Sequence, residues 1–342
     1  MLFLAALLAI HVPQVDSTAP NRQPQLAASG DTVALVFGSG TTIWMARSAD
    51  RGRNFDAPAK VAELPKLLLG RHRGPRVAII GSTIVVSAIA SDPGDLVVWR
   101  STDGGRKWSA PAVVNDVPKA AREGLHAMAA DADGHIAMAW LDDRTAPGKK
   151  LYGAFSDDAG KTWSRNVVLY RSPERTICEC CHPSLTALGH GEFAVMWRNA
   201  LGGSRDLYAM RLRDGAVAGV PVKQGSGTWK LDACPMDGGG LAAVDGQLSS
   251  AWRREHDVYL AQSGKPEIKL GTGQDVALAA AGRGLYAIWS AEGGIQLYAA
   301  GQTSRLAETG AFPTIVTLPG GTLLAAWEEN GAITLTFPGR DR

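Results

Sequence analysis

The chain alternates apolar residues with small or polar ones over short runs, and a turn containing Gly or Asp separates neighbouring runs. Four segments show this most clearly: Leu125–Trp140, His182–Trp197, Gly273–Trp289 and Phe312–Trp327. Each contains two runs with a period of two residues, which is the period of a β-strand. The 3.6-residue period of an amphipathic helix is almost absent. The pattern therefore predicts an all-β protein.

Units of this kind recur along the whole chain, about 40–55 residues apart, a spacing typical of propeller blades. Their starts lie near seven residues: Pro24, Pro75, His126, Pro183, Pro235, Asp275 and Pro313. Four short strands per unit describe one blade of a β-propeller. We predict a β-propeller of four-stranded antiparallel blades, with seven blades favoured and six the alternative. The last unit shows three strands, so we expect a strand from before Pro24 to complete it and close the ring.

Three segments share the pattern S-x-D-x-G-x-x-aromatic: Ser48–Phe55, Ser101–Trp108 and Ser156–Trp163. The pattern suits a tight turn, because Asp accepts hydrogen bonds from backbone NH groups and Gly adopts the left-handed conformation. The segments resemble the Asp-box (BNR) repeats of sialidase-like β-propellers. This resemblance implies a propeller, and it implies structural turns, since Asp boxes of that family lie away from the active site.

The segments CECCHP (Cys178–Pro183) and WKLDACPMDGG (Trp229–Gly239) resemble those of an exported bacterial subgroup of this family. We interpret residues 20–342 as a single sialidase-like propeller domain and residues 1–19 as a signal peptide. Leu2–Ile10 has the length of a signal-peptide core, although no Lys or Arg precedes it; a buried strand is the alternative. We therefore expect an exported protein, periplasmic or secreted.

Composition narrows the class of partner. The 342 residues are 45% hydrophobic and carry a formal net charge of +2. A charge so close to zero gives no basis for nucleic-acid binding. No later segment approaches the length of about 18 apolar residues that a membrane span requires. We expect a monomer.

Three of the four cysteines lie close together, and the fourth is far off in sequence. In a propeller, the starts of inner strands and the ends of second strands meet at one mouth of the central channel, so both groups should meet there. Disulfides are one interpretation, for example a Cys181–Cys234 bridge. A copper or zinc site is another, and a reactive thiol is a third. The candidate metal ligands are Cys178, Cys180, Cys181, Cys234, His182 and His126.

The same placement gathers charged residues into a bowl above the channel, where propellers usually bind ligands. Its members are His72, Arg73, Arg76, Glu123, His126, Asp142, Asp143, Arg144, Arg198, Asp232, Asp237, Arg253, Arg254, Glu255, Asp275 and Glu292. A small anionic or carbohydrate ligand would suit this bowl. Salt bridges among the charges are the structural alternative.

Sialidases of the resembled family hold the substrate carboxylate with three arginines, and they use a Tyr nucleophile, activated by Glu, and an Asp acid/base. The resemblance offers five arginines for the carboxylate: Arg73, Arg76, Arg198, Arg253 and Arg254. The catalytic candidates are Asp237 and Glu255. No tyrosine is an evident nucleophile, because four of the six occupy the repeated third-strand position: Tyr152, Tyr208, Tyr259 and Tyr298.

Three functions remain open on the sequence. The first is an exported propeller that binds a ligand or metal at a Cys/His/Arg mouth without proven catalysis. The second is an exo-α-sialidase-type glycoside hydrolase. The third is an interaction scaffold for envelope proteins.

Overall fold

The computed structural model describes residues 9–145 and 147–339, and within them it is built of β-strands and turns, with no helix. Most of the apolar run Leu2–Ile10 lies outside the described residues. In the described part of the chain, no helix has the length and apolar character needed to cross a membrane.

The strands are numbered β1 to β29 in chain order. They are Ile10–Val12, Arg22–Ser29, Thr32–Ser39, Thr42–Ser48, Ala59–Glu63, Arg76–Ile80, Thr83–Ile89, Leu96–Ser101, Ala112–Val113, His126–Ala130, Ile136–Asp142, Lys150–Ser156, Val167–Tyr170, Ser184–Gly189, Glu192–Arg198, Leu207–Arg213, Ala216–Val217, Val222–Lys223, Gly239–Val244, Gln247–Arg254, Asp257–Gln262, Ile268–Thr272, Gln274–Ala281, Gly284–Ala291, Gly294–Ala299, Gln302–Ala307, Ala311–Thr317, Leu323–Glu329 and Ala332–Thr336.

These strands form seven antiparallel sheets. From inner to outer strand the sheets are β2–β5, β6–β9, β10–β13, β14–β17, β19–β22, β23–β26 and β27–β28–β29–β1. The fourth sheet carries one extra short strand, β18, which pairs with β16. Each inner strand contacts the inner strand of the next sheet, and β27 contacts β2, so the seven sheets form a ring. The molecule is a seven-bladed β-propeller, as the sequence predicts.

The seventh blade is completed by the N-terminal strand. β1 pairs with β29, with Ile10 opposite Leu335, and Val12 is buried. This confirms the expected closure of the ring by a strand from before Pro24. The strand also lies within the range interpreted as a signal peptide, residues 1–19, and removal of that range stays a prediction.

The core lies between adjacent blades rather than inside any one of them. Second strands such as β11 are buried along their whole length, because each is covered on both faces by a neighbouring blade. Trp140, Trp197 and Trp289 lie on second strands of different blades and are fully buried. Burying such large aromatic side chains supplies much of the apolar contact between blades.

The three S-x-D-x-G turns join third to fourth strands of the first three blades. Ser48 lies opposite Val33, at the start of its second strand, and Ser156 lies opposite Ile136 in the same way. The turns therefore lie at the end of the ring opposite the starts of the inner strands. The end of the ring at which the inner strands start is the channel mouth.

Candidate binding site at the channel mouth

β-Bulges shape the mouth on one side. The inner strands of blades one, six and seven each shift register after their first residue. The residues within these bulges adopt left-handed backbone conformations, with φ of 56° at Gln23, 58° at Asp275 and 49° at Phe312. A bulge bends its strand and re-aims a side chain. The bulge in blade six brings Asp275 into contact with a residue from blade two across the channel.

That contact is the centre of a small polar cluster formed by His72, Asp237 and Asp275. The Nε2 atom of His72 lies 2.8 Å from Oδ1 of Asp275, and the backbone NH of Asp275 donates to Oδ2 of Asp237 over 3.2 Å. One nitrogen or oxygen atom from each side chain lies within 4.8 Å of the others. His72 itself has a left-handed φ of 65°. Such strain in a non-Gly residue is typical of functional sites.

The imidazole ring of His182 stacks on that of His72, which belongs to this cluster. The rings of His72 and His182 lie 4.0 Å apart between centroids, and Phe312 contacts His72 edge-on at 5.4 Å. The backbone NH of Gly238 donates to Nδ1 of His182. Burial, together with the positive charge of neighbouring groups, holds the pKa of His182 well below its usual value. His182 is therefore neutral and carries its proton on Nε2.

Asp237, one of the two catalytic candidates, is almost fully buried. Burial and the neighbouring carboxylate of Asp275 raise its pKa above the ordinary value. Its Oδ1 atom has no hydrogen-bond partner among the described residues. A buried carboxyl group held toward its protonated form can donate a proton, which is the property required of a general acid.

Glu255, the other candidate, is exposed in the turn that follows β20, with a left-handed φ of 59°. Glu255 lines the same cavity as Arg253. Of the two predicted catalytic residues, Asp237 is therefore buried at the mouth and Glu255 is exposed.

Arg76 and Arg198 use their guanidinium groups to hold the backbone together. Both are buried. Arg76 donates to the carbonyls of His72, Gly74, Pro75 and His126. Arg198 donates to the carbonyls of Arg205, Asp237, Gly238 and Arg253. In this arrangement their donors are not directed at a ligand in the cavity, although both were candidates for binding a carboxylate.

Arg73 and Arg254 are engaged with side chains of their own region. Arg73 donates to the carbonyl of Glu123 and lies 3.7 Å from its carboxylate. Arg254 donates to Glu267 over 2.7 Å and covers the ring of Tyr259. Arg73 and Arg254 are therefore both in ion pairs, which is the alternative to ligand binding that the sequence left open.

Arg253 is the candidate arginine that lines the larger of the two cavities at the mouth, the one of about 810 Å³. Its Nη1 donates to Gln274 over 2.8 Å, and its Nε lies 3.7 Å from Oδ2 of Asp237. Its guanidinium carbon lies 5.3 Å from the centre of the Trp229 ring. Its Nη2 donates to the carbonyl of Pro235 over 3.3 Å, so the partners of Arg253 are a neutral amide, a backbone carbonyl and, at the longer distance of 3.7 Å, the carboxyl group of Asp237.

The cavity has a volume of about 810 Å³ and opens beside the cluster. It spans blades five, six and seven, and it includes Trp229, Glu255, His256, Glu292 and Phe312 in its wall. A narrower space of about 190 Å³ continues down the axis between the inner strands and is lined by His72 and His182. Asp275 lines both spaces, so the cavity and the channel adjoin at the cluster. A pocket of this size accommodates a small ligand such as a short saccharide.

The opposite side of the mouth, formed by blades two and three, is closed by ion pairs. Arg144 pairs with Asp142 over 2.8 Å and contacts Asp116, while Lys149 pairs with Glu123 over 3.0 Å and with Asp143 over 3.1 Å. These charged residues of the predicted bowl therefore pair with one another. Among the described charged residues at the mouth, buried atoms without a hydrogen-bond partner belong to Asp237, Arg253 and Arg254, all next to or in blade five.

The cysteines do converge at the mouth. Cys180 and Cys234 form a disulfide between the loops that precede blades four and five, with Cα atoms 6.1 Å apart. Cys178 and Cys181 are free and buried. The Cys181–Cys234 pairing suggested by the sequence is wrong, because the preceding residue, Cys180, forms the bond to Cys234 and leaves Cys181 as a buried free thiol.

The two histidines predicted to join the cysteines lie elsewhere. Among the described residues, the sulfurs of Cys178, Cys180 and Cys181 group without a histidine. His182 is stacked on His72, as described above. His126 is buried on β10, and its Nε2 contacts the hydroxyl of Ser87 at 2.9 Å.

The two free thiols have opposite acid–base behaviour. A hydrogen bond from Cys181 lowers the pKa of Cys178 to about 7, helped by the backbone NH of Cys180 and by Arg198 and Arg205. Burial, together with the Cys178 thiol, raises the pKa of Cys181 well above its usual range. The pair therefore holds one thiolate near neutral pH, on Cys178.

Trp229 and Phe312 are among the wall residues of the cavity that were not predicted as site residues from the sequence. Trp229 lies between Arg198 and Arg253, with its ring centre 5.2 and 5.3 Å from their guanidinium carbons. Phe312 directly precedes Pro313, just as Gln23 precedes Pro24, and both occupy the bulge. This repeated position before Pro is the sequence signal that could have located Phe312.

Comparison with known proteins shows the fold and no family. No family model and no curated protein matches the chain. The arabinanase of Penicillium chrysogenum, solved with arabinobiose, is similar over 96% of this chain and 97% of its own, with a TM-score of 0.56 and 14% identity. An ulvan lyase bound to a GlcA(1-4)Rha3S saccharide covers 94% and 95%, with a TM-score of 0.58 and 11% identity.

A Hadza microbial sialidase is similar over 93% of this chain and 65% of its own length, with a TM-score of 0.54 and 16% identity. At these identities the likeness establishes a shared propeller fold. Activity has to be argued from the mouth of the channel itself.

Proposed function

We propose that this propeller binds an acidic saccharide in the cavity beside the His72–Asp237–Asp275 cluster. The observation that carries this proposal is Arg253, whose charged group stands in the wall of a cavity of about 810 Å³ and lies 3.7 Å from the carboxyl group of Asp237. A guanidinium group in such a place suits a carboxylate or sulfate, because its planar fork donates two parallel hydrogen bonds.

The rest of the wall suits a sugar. Trp229 and Phe312 offer aromatic surface, and Gln274 and Glu292 offer polar groups for hydroxyls. Two neighbours by fold, a sialidase and an ulvan lyase bound to a glucuronate-containing saccharide, support an acidic carbohydrate as the class of ligand. The Cys180–Cys234 disulfide supports the further proposal that the protein works outside the cytoplasm.

Calorimetric titration with acidic oligosaccharides and with their carboxyl-reduced counterparts tests the binding proposal. We expect a uronate- or sialate-containing ligand to bind and its neutral counterpart to bind at least about tenfold more weakly, since a hydrogen bond to a charged group contributes about 1.5–3 kcal/mol. Arg253→Ala should lose the acidic ligand to a similar extent.

Arg213→Ala is the matched control, because it removes the same charge at the far end of β16, away from the mouth. Equal binding of acidic and neutral ligands, no binding of either, or equal losses in the two arginine variants would contradict the proposal.

Cleavage of the bound saccharide is a second candidate function, and the buried Asp237, whose pKa is raised, favours it. Asp237, which contacts the wall residues Asp275 and Arg253, would act as general acid, and Glu255 in the cavity wall would be the second carboxylate. A sialidase reaction through a Tyr nucleophile has less support, since no tyrosine among the described residues lines the cavity or the channel. Release of a fluorophore from uronide and sialoside substrates measures cleavage, and Asp237→Asn should abolish it. A binding protein alone would release none.

A further inference from the structure

The thiol loop before blade four has the spacing of a metal site. The Sγ atom of Cys178 lies 3.3 Å from that of Cys181 and 3.7 Å from that of Cys180, and the last two are 4.0 Å apart. A tetrahedral zinc ion with bonds to sulfur of about 2.3 Å separates its sulfur ligands by about 3.8 Å. The three sulfurs already stand near that separation around a common centre.

The surroundings of the sulfurs suit thiolates. Backbone NH groups of Cys180 and Asp237 donate to the sulfurs of Cys178 and Cys181. The positive charges of Arg198 and Arg205 act on the Cys178 sulfur. Four thiolates around a divalent ion carry a net charge of −2, and these two arginines would offset it. Such outer contacts orient and stabilise metal ligands.

Cys234 supplies the fourth sulfur. It is exposed, whereas its disulfide partner Cys180 is buried. A reductant can therefore reach the bond from the Cys234 side. The sulfur of Cys234 is not part of the group of three sulfurs that lie within 4.8 Å of one another, so the exposed Cys234 side chain has to rotate toward them once the bond is reduced; its Cα lies 6.1 Å from that of Cys180.

We propose that Cys178, Cys180, Cys181 and Cys234 form a zinc site when the Cys180–Cys234 bond is reduced. A dithiol reductant supplies two electrons and two protons, is itself oxidised to a disulfide, and leaves two thiols in place of the bond. Zinc then binds the four sulfurs and displaces their remaining protons. In the oxidised state two of the four ligands are used by the disulfide, so the ion has no complete site.

Thiolates also suit copper(I), but the sulfur spacing favours a four-coordinate tetrahedral ion, and zinc is that ion. The metal would take over the task of the disulfide, because the same loops before blades four and five remain joined in both states. The site does not depend on the saccharide proposal, and either can fail alone.

Cobalt(II) reports on such a site directly, because its bonds to thiolate sulfur produce charge-transfer absorption. The protein is reduced with a phosphine, freed of reductant without oxygen and titrated with Co²⁺, then with Zn²⁺. We expect absorption that saturates at one Co²⁺ per chain and is abolished by one Zn²⁺. Oxidised protein, Cys181→Ser and Cys234→Ser should lack it, whereas His126→Gln, at a buried histidine outside the sulfur group, should keep it.

A second measurement needs no variant. All four thiols of the reduced wild-type protein should react with an alkylating agent, and Zn²⁺ should protect all four. The proposal is overturned by reduced protein that gives no charge-transfer absorption, by equal absorption in the oxidised protein or in Cys234→Ser, or by alkylation rates that Zn²⁺ leaves unchanged.

Discussion

The two ends of the ring are built on different principles. At the far end, three turns repeat one set of hydrogen bonds: the NH groups of Gly52, Gly105 and Gly160 donate to a Ser hydroxyl over 2.8, 2.8 and 2.9 Å. At the mouth, each blade is different, and long side chains reach across to backbone carbonyls of other segments. The repeated end is therefore fixed locally, within eight residues, whereas the mouth is fixed by contacts between residues far apart in sequence.

This difference separates what stabilises the fold from what is available for function. The carboxylate of the Asp in each turn accepts hydrogen bonds from backbone NH groups of the same turn. Asp158, for example, accepts from the NH groups of Lys161 and Thr162 over 3.0 and 2.8 Å. At the mouth, Asp237 and Arg253 have polar atoms that remain unpartnered among the described residues. Unsatisfied buried groups cost stability, and they are retained where a ligand or a reaction needs them.

The largest effect is expected at the mouth, from Arg198→Ala. The variant leaves four backbone carbonyls without their charged donor, so the free energy of unfolding should fall by about 3–4 kcal/mol. Urea denaturation measures it. Arg213→Ala, whose side chain is 58% exposed, should change stability by less than about 0.5 kcal/mol. Similar losses in the two variants would show that the mouth does not depend on such long-range contacts.

A smaller effect is expected at the far end, from Asp158→Ala. The lost hydrogen bonds to the turn should cost about 1 kcal/mol, kept low by solvent exposure. Its side-chain and backbone hydrogen bonds lower the pKa of Asp158 to about 2 in the folded protein. Its contribution is therefore complete above the unfolded pKa and disappears as the pH falls toward 2.

Urea denaturation at neutral and acidic pH checks this expectation, with the exposed neighbour Asp157→Ala as control. A saccharide affinity that changes in Asp158→Ala would contradict the separation of the two ends.

The smallest effect, with the opposite sign, is expected from Asp237→Asn. Because the folded-state pKa of Asp237 is raised, protonation stabilises the folded protein at low pH, and this stability is lost as the pH rises through the folded pKa. The amide stays neutral, so the variant should gain up to about 1 kcal/mol over the wild type at pH 7 and nothing near pH 4. Denaturation at both pH values measures the gain. A loss at pH 7, or an equal gain in the exposed Asp232→Asn, would refute the assignment.

The sequence was sufficient to predict the ring and insufficient to predict the mouth, for the same physical reason. Strand period, turn chemistry and repeat length are local, and they led to seven four-stranded blades and to a closing strand before Pro24. The disulfide partner was mistaken because Cys180 and Cys181 are adjacent in sequence, and only the packed loop shows which of the two sulfurs reaches Cys234.

The arginines illustrate the same limit. The sequence places Arg76 at the start of an inner strand and places Arg198 and Arg253 at the ends of second strands, all of which meet at the mouth. Only the structure shows that the first two donate to four backbone carbonyls each while the third lines the larger cavity. The bulge that brings Asp275 onto His72 likewise depends on chain packing across the channel.

The closing strand has a consequence for the order of events during synthesis. The contact between His11 and Thr334 joins residues 323 positions apart. β1 is synthesised before every other described strand, whereas its partner in the sheet, β29, is synthesised after all of them. Six blades can form while β1 has no partner, and the ring closes only after β29 has been made. The first of the described strands to be synthesised is therefore the last to reach its final place.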